Sequence, residues 1–230
     1  MHANIKGSIS SFCGKMVQLV RIEGNIGVGK SSLLSHLEDN EPPVCTVPEP
    51  VSSWTHHLEG LYSSPHSDAW SLPMQSLAMC TRAESLLQAL ARCKDASDPA
   101  IVVIERSQDS ARIFADNTLS GQDMDAFDTL VARYDAALGA RLEQVCTSDT
   151  ITVYLRAHPE VCAQRMAKRS RRSERGISLE YLQAIHTAHE TRFLHGADLV
   201  VECCDKTRIQ VASEVKKFLS GLGSASLNGG

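Results

Sequence analysis

The stretch Ile22-Glu23-Gly24-Asn25-Ile26-Gly27-Val28-Gly29-Lys30-Ser31 decides the fold. From Gly24 to Ser31 it reads G-x-x-x-x-G-K-S, a phosphate-binding P-loop. The apolar run Val17–Ile22 before it suits a buried strand, and Ser32–Leu37 after it suits a helix. The glycines let the backbone of Gly24, Asn25, Ile26, Gly27, Val28 and Gly29 fold tightly and aim N–H groups at phosphate oxygens. The helix N-terminus adds partial positive charge. Lys30 is expected between the β- and γ-phosphates, Ser31 on a magnesium ion and Ser32 beside it. The motif implies a nucleoside triphosphate and leaves the phosphate acceptor open.

Working outward, apolar runs alternate with helix-length amphipathic segments. Strands are expected at 16–23, 44–48, 100–105, 150–155 and 198–202. Helices are expected at 30–39, 68–94, 107–118, 123–146, 159–169, 178–195 and 206–220. This alternation, with short Val/Ile-rich strands, implies an α/β fold. Its parallel five-stranded sheet would be covered by helices on both faces. The 230 residues suit one large domain. We assign 17–220 to that domain, 1–16 to a disordered N-terminal tail and 221–230 to a flexible C-terminal tail. Residues 52–68, with their Ser, His and Pro content, are expected to be an irregular segment.

The formal net charge of −4 argues against a general nucleic-acid-binding surface. No apolar stretch reaches the ~18–20 residues that span a bilayer. The eight cysteines form no C-x-x-C pair, so reduced thiols in a cytoplasmic setting are expected. The tail 1–16 contains Lys6 and Lys15 but no Arg, which makes it a poor match to the mitochondrial presequence that is the alternative.

In such sheets, ligands bind beyond the carboxyl ends of the strands. Glu49 lies there between Pro48 and Pro50, which hold its backbone in place. A carboxylate near the γ-phosphate can accept a proton from an attacking hydroxyl. Glu105-Arg106 abruptly ends the apolar run 101–104. Glu105 is a candidate for magnesium or its water shell, and Arg106 for orienting Glu49 and touching phosphate. Arg165, Lys168, Arg169, Arg171, Arg172 and Arg175 crowd one segment with Glu174 as the one acid. We read that segment, about 165–178, as a lid that clamps the transferring phosphate; a solvated helix face is the alternative.

Taken together, the motifs resemble a known family. Glu23-Gly-Asn-Ile-Gly-Val-Gly-Lys-Ser-Ser32, Glu49-Pro-Val-x-x-Trp54, Glu105-Arg-Ser-x-x-Ser-Ala-Arg-x-Phe114 and Leu179-Glu-Tyr-Leu-x-x-x-His186-x-x-His189-Glu190 occur in order over about 17–218. They are similar to the cellular-type deoxynucleoside kinases, which include deoxycytidine, deoxyguanosine and mitochondrial-type thymidine kinases and some viral thymidine kinases. The resemblance implies a P-loop kinase fold and transfer of the γ-phosphate of ATP, with Mg2+, to a deoxynucleoside 5′-hydroxyl. It implies Glu49 as the base with Arg106 as its partner, and Glu105 near magnesium. It places Arg165, Arg169 and Arg171 on phosphate, and Glu174 with Tyr62 on the sugar 3′-hydroxyl.

Trp70-Ser-Leu-Pro-Met-Gln75 matches the family's substrate helix, so Gln75 is expected to read the base edge while Trp54 and Phe114 pack on the base. Ala78 and Arg82 resemble the deoxycytidine and deoxyguanosine kinases, in which this Arg pairs with an Asp. Here that position is Ala111, as in thymidine-accepting members, and Arg82 needs another partner. These positions suggest a deoxypyrimidine substrate including thymidine. His186 and His189 suggest a metal site, but the family carries this pattern on a structural helix. By analogy, the chain is expected to form a homodimer through the helices near 68–94 and 123–146. A thymidylate-type nucleoside monophosphate kinase and a non-catalytic nucleotide switch are the competing readings.

Overall fold

Five strands assemble in the order β2-β3-β1-β4-β5, and every pairing is parallel. They are β1 (Gln18–Glu23), β2 (Val44–Val47), β3 (Ile101–Glu105), β4 (Ile151–Arg156) and β5 (Leu199–Glu202). The computed structural model describes residues 16–38, 44–63, 68–93, 101–147 and 149–225, with side chains up to 222. The expected tails fall largely outside these residues.

Eight helices connect and cover the sheet among the described residues: α1 (Lys30–Glu38), α2 (Thr55–Ser63), α3 (Asp68–Cys93), α4 (Gln108–Asp116), α5 (Gly121–Leu142), α6 (Pro159–Arg169), α7 (Leu179–Phe193) and α8 (Arg208–Ala225). Side-chain alternation along each strand feeds two faces. Val20, Ile22, Val103, Val153 and Val201 pack under α1 and α8. Leu19 and Val102 pack against Leu86, Ala89 and Leu90 of α3, while Tyr154 packs against Ile185 and Phe193 of α7. Burial on both faces explains why the strands read as apolar runs rather than clean alternations.

The sheet order positions the site. Strands β1 and β3 are neighbours, yet β1 leads on to β2 while β3 leads on to β4, towards opposite edges of the sheet. That reversal opens a crevice at their carboxyl ends. The register aligns Ile22 with Glu105, and Val47 with Ile104. Glu105-Arg106 therefore lies between the P-loop on one side and Glu49 on the other.

Two expectations change. Residues 52–68 are not irregular throughout: a 3-10 turn over Val51–Trp54 leads directly into α2. Trp54 and Leu61, with Val51 and Leu58, recur at helical spacing and pack on Met74 and Ala78 of α3. In addition, α8 continues to Ala225, into the stretch expected to be a tail.

Candidate active site

The P-loop backbone fits because its glycines adopt conformations closed to other residues. Gly24 has φ +143°, and a Cβ there would lie 2.5 Å from the Leu155 carbonyl oxygen. Gly27 has φ +81°, and a Cβ would lie 2.6 Å from the Cys162 carbonyl oxygen. Asn25 ties the loop to α7, donating to the Leu182 carbonyl at 2.9 Å, while its own Oδ1 accepts from Ile26 N–H. Lys30 folds back, donating to the Gly24 and Asn25 carbonyls at 3.0 and 2.9 Å rather than reaching outward.

Glu23 is a carboxylate whose structural part the sequence reading missed. It is fully buried at the end of β1 and accepts from Ser107 N–H at 2.9 Å and from the Ser110 hydroxyl. It thereby fixes the start of α4, where negative charge also suits the helix dipole. Arg106, just before, has φ +67°, a strained backbone for a non-glycine residue. Its N–H bonds to the Ile22 carbonyl and its Nη1 to the Gly24 carbonyl, both at 3.0 Å. Strain at this junction aims a buried guanidinium into the crevice.

There it meets Glu49. Arg106 Nε donates to Glu49 Oε2 at 3.3 Å, and Arg82 donates to Oε1 from Nε at 2.9 Å and from Nη2 at 2.5 Å. The partner that Arg82 lacked in the sequence is therefore Glu49. The Arg82 guanidinium carbon also sits 5.4 Å from the Trp54 ring centroid, and that of Arg106 4.6 Å from Phe114. Beside them, Ser31 Oγ donates to Glu105 Oε1 at 3.1 Å, and Glu49 N–H points at Glu105 Oε2 at 3.4 Å.

This cluster splits its two carboxylates. Burial would raise the pKa of Glu49, but Arg82, Arg106 and Lys30 outweigh it and hold the carboxyl below its ordinary value. Burial and the Glu49 charge push Glu105 the other way, up. Lys30 is brought down to about 8 by burial and by Arg106, against the pull of Glu105, Glu49 and Glu23. Carboxylates with opposite shifts are what a site with separate base and metal-side groups requires.

A cavity of about 110 Å³ collects most of the expected residues. Ile26, Gly27, Gly29, Lys30, Ser31 and Ser32 form one end, and Glu49, Glu105 and Arg106 the floor. Trp54, Tyr62, Gln75, Ala78, Arg82 and Phe114 form the far wall, with Arg169, Arg171 and Glu174 above. Val51, Leu58, Leu61, Met74 and Ile177 also line it and were missed. For the first three, the helical spacing from Val51 to Leu61 was the signal, hidden by surrounding His and Ser. Tyr62 is half-buried, and the loss of water around its hydroxyl pushes it up to about 12.

Some expected residues lie elsewhere. Ala111 packs with Ala115, Leu119 and Phe127 in an apolar cluster rather than on the cavity wall. Arg165 lies within α6 and spends its guanidinium on the Val28 and Cys203 carbonyls, at 2.8 and 2.5 Å. It braces the P-loop from behind. Arg169 and Arg171 instead converge on Glu174, with Arg169 reaching it at 2.6 Å. His189 is buried beside Phe114, Tyr154 and Phe193, its Nδ1 bonded to the Ile185 carbonyl. Among the described residues, no group of three or more His, Cys, Asp or Glu is arranged to hold a metal, and no helix is long and apolar enough to cross a membrane.

Hard oxygen ligands are nevertheless present. Ser31 and Glu105 offer a hydroxyl and a carboxylate whose raised pKa a cation would relieve, which fits a Mg2+ ion held mainly by substrate phosphates.

The chain matches the deoxynucleoside kinase family over residues 20–220. It is similar to mouse deoxycytidine kinase, with 33% identity over 205 residues covering 79% of this chain and 77% of that protein. Human deoxycytidine kinase is 32% identical over 79% of this chain and 77% of its own length. Human mitochondrial thymidine kinase 2 is 34% identical over 186 residues, covering 78% of this chain and 65% of that protein. A P-loop, a doubly held carboxylate at the neighbouring strand ends and this extended match lead to one conclusion: the chain belongs to the deoxynucleoside kinase family.

Proposed function

We propose that this kinase transfers the γ-phosphate of MgATP to the 5′-hydroxyl of deoxypyrimidine nucleosides, thymidine included. The observation that carries this is Glu49, held between Arg82 and Arg106 in the same cavity that the P-loop lines. Glu49 accepts the hydroxyl proton as O5′ bonds to the γ-phosphorus and the bond to the β-phosphate oxygen breaks, releasing ADP. Lys30 turns from the loop carbonyls to the phosphates. Ser31 and Glu105 would hold Mg2+, which supplies charge neutralisation when bound.

Gln75 reads the base edge, Trp54 and Phe114 sandwich the ring, and Ala78 leaves it space. Tyr62 and Glu174 take the 3′-hydroxyl. Arg169 and Arg171 release Glu174 to clamp phosphate, making residues 165–178 the lid. Support for pyrimidines comes from the deoxycytidine and thymidine kinases among the relatives. A homodimer on α3 and α5 completes the reading. Leu87 and Leu130 are 38% and 37% exposed on those helices, which supports an interface there. Free thiols among the described residues support a reducing, cytoplasmic setting.

The test is ATP-dependent phosphorylation of thymidine, deoxycytidine, deoxyadenosine and deoxyguanosine, with thymidine monophosphate as fifth acceptor. Thymidine and deoxycytidine are expected to lead. Purines leading would overturn the pocket assignment, and turnover of the monophosphate alone would overturn the hydroxyl acceptor.

A further inference from the structure

We infer that Arg82 is a positioning residue for Glu49, rather than only a wall of the base pocket; this rests on Glu49 being the base. Both of its committed nitrogens go to a single carboxylate oxygen, at 2.9 and 2.5 Å, whereas Arg106 holds the other oxygen at 3.3 Å. Its third nitrogen, Nη1, is buried without a partner among the described residues. No acid on α4 competes for it: Ala111 faces an apolar cluster, Asp109 pairs with Arg21 and Arg192, and Asp116 pairs with Arg112.

The platform under Arg82 is fixed. Trp54, whose ring lies beneath the guanidinium, donates from Nε1 to Thr81 Oγ1 at 2.9 Å, and Thr81 Oγ1 donates to the Leu77 carbonyl at 2.8 Å. Gln75 and Arg82 are two turns apart on one face of α3 and line the same cavity. A base seated against Gln75 therefore bears on the guanidinium that sets the carboxylate. Base fit and base catalysis share one side chain.

Four charged groups face Glu49: Arg82 from α3, Arg106 after β3, Lys30 from α1 and Glu105 at the end of β3. Removing Arg82 leaves Glu49 Oε1 without its two donors, so only the longer Arg106 contact still orients the carboxylate.

The test measures kcat and KM for thymidine at pH 7 in wild type, Arg82→Met, Arg82→Lys and Glu49→Gln. Arg82→Met removes both donors to Glu49 Oε1. Its kcat at neutral pH is expected to fall at least about tenfold, with KM within about threefold, as for a group acting in the transition state. Arg82→Lys keeps the charge but not the fork, so its kcat should fall as well, with KM near wild type.

A loss in Arg82→Met that lies wholly in KM would overturn the inference. Should Arg82→Met fail to fold, wild-type kcat in Arg82→Lys would overturn it alone. Near-normal turnover of Glu49→Gln would instead remove the base assignment beneath it.

Discussion

Ser31 Oγ donates to Glu105 Oε1 across 3.1 Å, joining the end of the P-loop to the end of β3. Two oxygens from different strand ends thus meet where a triphosphate would lie. Glu105, pushed up by burial and by Glu49, is a carboxylate that gains from a cation. Glu105→Gln is expected to raise the Mg2+ concentration giving half-maximal turnover by about 10–100-fold, the usual cost of a lost metal-site contact. Titration of activity against free Mg2+ checks this. An unchanged midpoint would move the ion elsewhere, and chelation with EDTA should abolish turnover in both proteins.

Lys30 gives a pH dependence to ATP binding. Its pKa in the free protein is about 8 because it is buried beside Arg106. Bound phosphates favour the charged form, so affinity is complete below pH 8 and is lost above it, by up to about tenfold per pH unit. Calorimetric Kd values for ATP between pH 7 and 9.5 should show the decline. A flat profile would mean that Lys30 stays charged throughout.

Gly176 seats the segment we propose as a lid. A Cβ there would stand 1.7 Å from the Tyr62 carbonyl oxygen, so any side chain must push the segment off the end of α2. Gly176→Ala is expected to lower kcat/KM for the nucleoside by about 100-fold, the effect of roughly 1 Å of misplacement at a reacting centre. Melting temperature should change little, because the displaced segment carries few core residues. Wild-type kinetics would show that the lid does not depend on this contact.

His189 sets the acid limit of stability. Burial, with Arg106 nearby, lowers its pKa to about 3, while an unfolded chain takes up the proton near 6.5. A group kept neutral in the fold makes stability fall as pH drops below 6.5, by about 2 kcal/mol at pH 5. His189→Phe should remove most of that fall, read as denaturant midpoints at pH 8 and pH 5. An equal acid loss in both proteins would place the sensitivity in other groups.

The strands were legible because a sheet covered on both faces writes itself as Val/Ile runs, and each lies within two residues of its expected start. The P-loop and Glu105-Arg106 were legible because their chemistry is local in sequence. Helix α2 was not, since its apolar contacts Leu58, Leu61 and Tyr62 are interrupted by Glu59 and Gly60 and matter only once α3 packs on them. The Arg82–Glu49 pair was hidden for another reason. It joins residues 33 apart through the packing of α3 on β2 and β3, which no local pattern encodes. Arg165 looked like its lid neighbours, but its place on α6 turns it to the back of the P-loop.

Glu49→Gln is the most direct test of the account. Turnover of thymidine with MgATP should fall by about 10²–10⁴-fold, the contribution of a positioned base. The Kd for thymidine, measured without ATP, should stay within a few-fold of wild type. Turnover near wild type in that variant would contradict the central claim that Glu49 takes the 5′-hydroxyl proton.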